Sequence, residues 1–143
     1  MESKNNLLAI SDYTEYPGPR YCNQGDFSGE AFYFDRLNSA FTDAYKHSSQ
    51  LTIVLDGTAG YASSFLDQAF GNLIFDFSLN VVRSIIVIIS NEEPDWKEMI
   101  YNETFIEWEE RRIKNEQPKL TCDHKAWYRL VESKLKADIW IKK

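Results

Sequence analysis

The chain has 143 residues, of which 43% are hydrophobic and 15% aromatic, and its formal net charge is −6. This length and apolar content predict one domain with a core of its own. An acidic chain lacks the basic face that neutralises phosphates, so direct nucleic-acid binding is not expected. A basic protein partner, or no charged partner, is the better prediction.

The sequence shows no targeting or membrane segment. Residues Met1–Asn6 are not a basic stretch followed by a long apolar run, as a signal peptide would be. The longest apolar run, Ile85–Ile89, is too short to cross a bilayer. Cys22 and Cys122 lie far apart in the sequence and predict free thiols in a reducing compartment. We therefore expect a cytoplasmic protein without membrane contact.

The N-terminal third predicts a strand, a long loop and a helix. Leu7–Ile10 is a short apolar run that suits a first or edge strand. Residues 12–29 concentrate proline and glycine and predict a loop, and a loop of this length usually has a function. Ser28 can cap the helix that follows and runs to about Lys46. Its apolar positions at helical spacing are Phe34, Leu37, Phe41, Ala44 and Tyr45.

The middle of the chain predicts a strand, a helix and a second strand. Leu51–Leu55 is rich in branched apolar residues and suits a central strand. The apolar stripe from Phe65 to Phe77 predicts a helix packed on a sheet, and Gly71 within it suggests close approach to a strand. Ser84–Ile89 predicts a strand buried on both faces. Together these elements form a parallel crossover unit.

The C-terminal third predicts two helices. A proline near a helix start, followed by an acid in the first turn, predicts a polar helix from about Pro94 to Asn115, whose charged second half is expected to face solvent. Asp123 can cap a last helix with one apolar face. That face would hold Trp127, Leu130, Val131 and Leu135. The expected fold is α/β, a small mixed sheet with packed helices, in a single domain over 1–143 with a helical C-terminal extension over 94–143.

Three groups of residues resemble a known family. They are Pro17-Gly18-x-Arg20, then Phe27-Ser28-Gly29-Glu30-x-Phe32, and the stretch from Leu55-Asp56-Gly57 through Gly60-Tyr61-x-Ser63-Ser64-Phe65-Leu66-Asp67-x-Ala69-Phe70-Gly71. This combination resembles the STAS-like family of small bacterial and phage-associated domains, which are related in fold to anti-sigma-factor antagonists. The resemblance implies a compact sheet with helices against it, often encoded beside a histidine-kinase-like ATPase.

The resemblance also implies a possible phosphorylation site. In the antagonist branch, a kinase of that ATPase type phosphorylates a serine at the start of the helix after the central strand. That position falls at Ser63, with Ser64 beside it. The residues alone support a second interpretation, in which one of these hydroxyls only caps the helix by accepting a bond from a backbone N–H group.

No catalytic, cofactor or metal site is expected. The loop Asp56–Gly60 lacks the Gly-Lys-Ser/Thr end of a P-loop and the glycine spacing of a dinucleotide fingerprint. Ser63 does not lie in a Gly-x-Ser-x-Gly nucleophile elbow. Neither His47 nor His124 has a cysteine or a second histidine at ligand spacing in the sequence.

The function expected from these observations is a non-enzymatic regulatory domain that binds a protein partner. The resemblance suggests a histidine-kinase-like ATPase in a partner-switching pair. The expected contact residues are Arg20, Asp56, Gly57, Thr58, Gly60, Tyr61, Ser63 and Phe65. Arg20 could pair with Asp56 or another carboxylate, and its loop either covers the sheet edge or forms part of the partner surface.

An alternative function uses the polar helix after Pro94. Its negative charges and tryptophans suggest a phage or mobile-element protein that binds and inhibits a host protein through an acidic, tryptophan-bearing surface. The charges are Glu103, Glu107, Glu109 and Glu110, diluted by Arg111 and Arg112.

Overall fold

A three-stranded parallel sheet forms the centre of the computed structural model, which describes residues 6–142. Its strands are β1 (Asn6–Ala9), β2 (Leu51–Val54) and β3 (Ile86–Ile89), and β2 lies in the middle. Ile53 stands opposite Leu8 on one side and Ile88 on the other. The predicted α/β class and the parallel crossover from β2 to β3 are confirmed.

Helices connect the strands. They are α1 (Ile10–Tyr13), α2 (Gly29–Phe32), α3 (Asn38–Lys46), α4 (Ser63–Phe77) and α5 (Leu79–Ile85), with a 3-10 turn at Cys22–Gln24 and a π-helical turn at Tyr33–Leu37 that joins α2 to α3. Ser28 caps α2 as predicted, because its Oγ accepts a bond of 3.0 Å from the backbone N–H of Ala31. The helical path then continues to Lys46, as the apolar spacing predicted.

One face of the sheet carries the core. Leu51, Ile53, Ile86 and Ile88 are buried there under the helices. The alternate residues of β2 and β3 are partly exposed on the opposite face, and Leu7 of β1 is 68% exposed. Parallel sheets are usually covered on both faces. The prediction that β3 is buried on both faces is therefore wrong within residues 6–142.

Helix α4 lies at the centre of the molecule. From Phe65 to Phe77 nearly every residue is buried, on all sides of the helix rather than on one stripe. The reason is a second layer formed by α6 (Pro94–Met99), a π-helical turn (Ile100–Thr104) and α7 (Phe105–Ile113). The helix predicted after Pro94 is present, but its second half does not simply face solvent, because Phe105 and Trp108 are buried.

The predicted last helix is wrong. The segment forms an antiparallel hairpin of β4 (Trp127–Val131) and β5 (Lys134–Asp138), in which Leu130 pairs with Leu135. The two turn residues, Glu132 and Ser133, both have positive φ, at 52° and 66°. This is the conformation that tight hairpins need, although neither residue type is typical of it. No helix within residues 6–142 has the length and apolar character needed to span a bilayer.

Candidate functional site

The loops after β2 and β3 are tied together at the carboxyl edge of the sheet. Asp56 accepts bonds from the backbone N–H groups of Asn91 (3.1 Å) and Glu92 (2.8 Å). In return, the Glu92 carboxylate accepts a bond of 2.8 Å from the backbone N–H of Gly57. The carboxylate of Asp56 therefore holds the loop in place and does not pair with Arg20, which was the first of the two expected pairings.

The rest of this loop is also held by specific contacts. The backbone N–H of Ala59 donates to the carbonyl of Glu15 at 2.7 Å. The hydroxyl of Tyr61 donates to the carbonyl of Leu55 at 2.6 Å, and burial raises the pKa of Tyr61 to about 12. Gly60 has a φ of +131°, which residues with a side chain rarely adopt. The loop is thus a defined surface rather than a loose linker.

Helix α4 begins at Ser63 without a side-chain cap. Ala62 occupies the N-cap position, so the interpretation of the paired serines as a helix cap is wrong. Ser63 is exposed and Ser64 is half-buried. Phe65 is fully buried and stacks on Phe32, with 5.8 Å between ring centroids. The prediction that Phe65 contacts a partner is therefore corrected, because its side chain belongs to the core.

Arg20 pairs with a carboxylate other than Asp56, which was the second of the two expected pairings. Its Nη1 donates to Oδ2 of Asp67 at 2.7 Å and to Oε1 of Gln68 at 3.2 Å. The backbone of the loop docks on the start of α2, since Gly29 N–H donates to the Pro19 carbonyl at 2.9 Å. The loop therefore holds Arg20 against α4, one turn after Ser63.

Arg20 and Ser63 both line a surface pocket of about 270 Å³. We call it the acidic pocket, and its lining residues are Arg20, Ser63, Asp67, Met99, Glu103, Thr104 and Glu107. Three carboxylates and one guanidinium line it, and the guanidinium is already paired with Asp67. The structure thus brings together two of the sequence-predicted residues, while Asp56, Gly57, Thr58, Gly60 and Tyr61 lie on the adjoining loop.

A buried ion pair, missed by the sequence reasoning, fixes the hairpin to the core. Asp76 of α4 is fully buried and accepts bonds from Arg129 Nε (2.6 Å) and from the Tyr33 hydroxyl (2.5 Å). Asn38 donates to the Tyr33 hydroxyl and to the carbonyl of Tyr128, both at 3.0 Å. Burial raises the pKa of Asp76 to about 6, although Arg129 and Tyr33 act in the opposite direction.

A second missed group contains Cys22, Glu30, Cys122 and His124, which we call the thiol cluster. Cys22 and His124 are 102 residues apart in the sequence, yet Sγ and Nε2 lie 4.0 Å apart. The fully buried carboxylate of Glu30 lies 2.7 Å from His124 Nε2. Burial alone would raise the pKa of Glu30, but bonds from His124, Thr121 and Cys22 outweigh it and lower this pKa to about 2. The one local signal of this site is the nearness of Cys122 to His124, with one residue between them, which is shorter than the usual spacings of zinc ligands and so predicted no site.

The thiol cluster does not have the geometry of a catalytic triad. In a triad the two ring nitrogens of histidine face the nucleophile and the acid separately. Here the same nitrogen, Nε2 of His124, faces both Cys22 and Glu30. Burial also raises the pKa of the Cys22 thiol to about 12, so it stays protonated near neutral pH. Cys22 is not an activated nucleophile.

The fold and the site define a small α/β domain built on a parallel sheet, with a surface pocket beside the first turn of its central helix. Residues 28–96, just under half of the chain, match the family described as STAS-like domain of unknown function (DUF4325), so this segment is similar to STAS-like domains. The match runs from the cap of α2 into α6 and is consistent with a non-enzymatic domain. Neither a curated protein nor a solved structure matches the chain.

Proposed function

We propose that this protein is a non-enzymatic regulatory domain that binds a protein partner through the acidic pocket and the adjoining loop of residues 56–61. The observation that carries the proposal is that Arg20 and the exposed Ser63 line the same surface pocket. The bonds of Asp56 and Tyr61 hold the adjoining loop in a fixed shape. A preformed surface loses little conformational freedom when a partner binds.

The charges of the acidic pocket favour a basic side chain of the partner. Glu103 and Glu107 are exposed, and neither forms an ion pair with another residue of the part that the structure describes. A lysine or arginine of the partner would complement them and would speed association. The STAS-like family supports a histidine-kinase-like ATPase in a partner-switching pair as the class of partner.

Phosphorylation of Ser63 would suit such a pair as a switch. A phosphate would add a charge of about −1.5 to −2 at the first turn of α4. The helix dipole and Arg20 would stabilise this charge, whereas Asp67, Glu103 and Glu107 would oppose it. Arg20 would then leave Asp67 for the phosphate, and the shape and charge of the contact surface would change together.

The binding surface is tested with variants in which an acidic residue is replaced by lysine. The wild-type protein and the Glu107→Lys variant are used to capture partners from the native host, and the captured ATPase is then titrated by calorimetry. We expect Glu107→Lys to weaken binding at least tenfold, whereas the control Glu116→Lys, an exposed acid outside the pocket, binds as the wild type does. Equal affinities for both variants would contradict the proposed surface.

The switch needs its own measurement. Mass spectrometry after incubation with the captured ATPase and ATP should find phosphate on Ser63, and Ser63→Asp should change the affinity at least tenfold. Ser39→Asp, at an exposed serine of α3, is the matched control. An unmodified Ser63 under conditions in which the kinase is active would rule out the switch. The proposed binding surface would not be affected by that result, because the Glu107→Lys experiment tests it separately.

The alternative inhibitor function has less support from the geometry. Trp108 is only 2% exposed, and the guanidinium of Arg111 covers its ring at 3.9 Å from the centroid. Trp96 is half-buried and contacts Tyr61 edge-to-face. The helices after Pro94 therefore do not present an open tryptophan surface.

A further inference from the structure

Four potential metal ligands converge at the thiol cluster from separate parts of the chain. Cys22 comes from the long loop, Glu30 from the first turn of α2, and Cys122 and His124 from the segment before β4. The ligand atoms of Cys22, Glu30 and Cys122 all lie within 4.8 Å of one another. His124 Nε2 lies 4.0 Å from Cys22 Sγ and 2.7 Å from Glu30 Oε2.

The chemistry of this set fits zinc. Two thiolates, an imidazole and a carboxylate are the ligand types that Zn²⁺ takes in tetrahedral sites. Tetrahedral bonds of about 2.3 Å to sulfur and 2.0–2.1 Å to nitrogen place neighbouring ligand atoms about 3.5 to 3.8 Å apart. The 4.0 Å between Cys22 Sγ and His124 Nε2 is close to this spacing. Only a few tenths of an ångström of movement would complete that edge of the tetrahedron.

The surrounding residues orient the ligands as an outer shell of a metal site does. The ring of Phe34 stacks on His124, with 4.0 Å between centroids. Ser28 Oγ donates to Cys22 Sγ at 3.6 Å. Thr121 holds Glu30 through its backbone N–H (3.1 Å) and its hydroxyl (2.7 Å). These contacts fix both the carboxylate and the imidazole before any ion binds.

We propose that Cys22, Glu30, Cys122 and His124 bind one Zn²⁺ ion as a structural site. On binding, the two thiols release their protons to solvent. The hydrogen bond from His124 Nε2 to Glu30 breaks, the ring proton moves to Nδ1 through solvent exchange, and the Nε2 lone pair and the Glu30 carboxylate both bind the ion. Glu30 is fully buried, which leaves this side of the ion closed to substrate and so favours a structural role over a catalytic one. The ion would fasten the C-terminal segment to α2 and to the loop that carries Arg20.

A route to the site is present. A surface pocket of about 280 Å³ lies beside the cluster and is lined in part by Cys122, His124 and Ile139. His124 retains 11% exposure of its side chain. An ion can therefore reach the cluster without unfolding of the domain.

The metal content of the full-length protein tests this site. Protein purified under reducing conditions should contain one zinc per chain by elemental analysis. Reconstitution with Co²⁺ should give thiolate-to-cobalt absorption, and Cys122→Ser and Cys22→Ser should lose it. His47→Gln is the matched control, because His47 is exposed at the end of α3 and lies outside the cluster. This variant should keep the full metal content.

Measurements on the wild type keep the proposal falsifiable if the cysteine variants do not fold. A strong chelator should lower the melting temperature of the wild-type protein by several degrees, and added zinc should restore it. Reduced wild-type protein that takes up neither zinc nor cobalt would overturn the proposal. A disulfide between Cys22 and Cys122 in the purified protein would overturn it as well. Intact mass spectrometry would detect this disulfide as a loss of two hydrogens.

Discussion

The indole of Trp108 lies directly on Gly71, so close that a Cβ atom on Gly71 would overlap its ring. Trp108 Nε1 also donates to Oδ1 of Asp67 at 3.3 Å, and the other oxygen of Asp67 binds Arg20. The packing of α7 on α4 therefore positions the carboxylate of Asp67, which lines the acidic pocket. The predicted close approach at Gly71 is real, but its partner is a helix rather than a strand.

Substitution of Gly71 by alanine should destabilise the fold. Alanine favours a helix by about 1 kcal/mol over glycine, but overpacking against the rigid indole should cost about 2–3 kcal/mol and leave a net loss of about 1–2 kcal/mol. The measurement is urea unfolding. In the double variant Gly71→Ala/Trp108→Leu the loss should be smaller than the sum of the two single losses. Additive losses would contradict a direct contact.

Removal of Arg129 should cost far more than removal of Arg112. Arg129→Met leaves Asp76 buried without its cation, for which we expect about 3–5 kcal/mol. Arg112 pairs with Glu109 at 2.7 Å, but 35% of its side chain and 20% of that of Glu109 are exposed, so Arg112→Met should cost about 0–1 kcal/mol. Unfolding free energies of both variants test this contrast, and similar values would show that Asp76 is not buried in solution.

The pH dependence of stability should reveal the raised pKa of Asp76. Its pKa of about 6 in the folded protein is above the ordinary value of 3.8 because of burial. The folded state therefore holds a proton that the unfolded state loses between pH 4 and pH 6, and this group lowers stability as pH rises through that window. Asp76→Asn removes the titration, so its stability relative to the wild type should improve from pH 4 to pH 7. A constant difference would mean that the pKa of Asp76 is not raised.

Local patterns predicted the parts of the fold that short segments determine. The hydroxyl of Ser28 is followed directly by a helix, and the branched residues of β2 and β3 suit a parallel sheet whatever surrounds them. The family resemblance drew attention to Arg20 and Ser63, whose role in binding stays a prediction. Both residues do line one pocket.

The errors came from contacts that a local pattern does not contain. The apolar spacing of Trp127, Leu130 and Leu135 suited a helix, and Glu132-Ser133 gave no turn signal, so the hairpin was missed. The hairpin is joined to the core by Arg129, which binds Asp76 of α4, 53 residues away in the sequence. Local spacing likewise could not bring Cys22 to His124, because the whole domain folds between them.

The two faces of the sheet should respond differently to truncation. Ile88 is 1% exposed under the helices, whereas its neighbour Ile89 points to the opposite face and is partly exposed. Ile88→Ala should cost about 2–5 kcal/mol, because it removes fully buried apolar surface and leaves a cavity. Ile89→Ala deletes the same atoms from the same strand but should cost less, since its contacts within the described residues are incomplete. Urea unfolding at several protein concentrations measures both losses. Equal losses from the two variants would contradict this expectation. If the loss from Ile89→Ala also depends on protein concentration, another chain covers the open face of the sheet in solution.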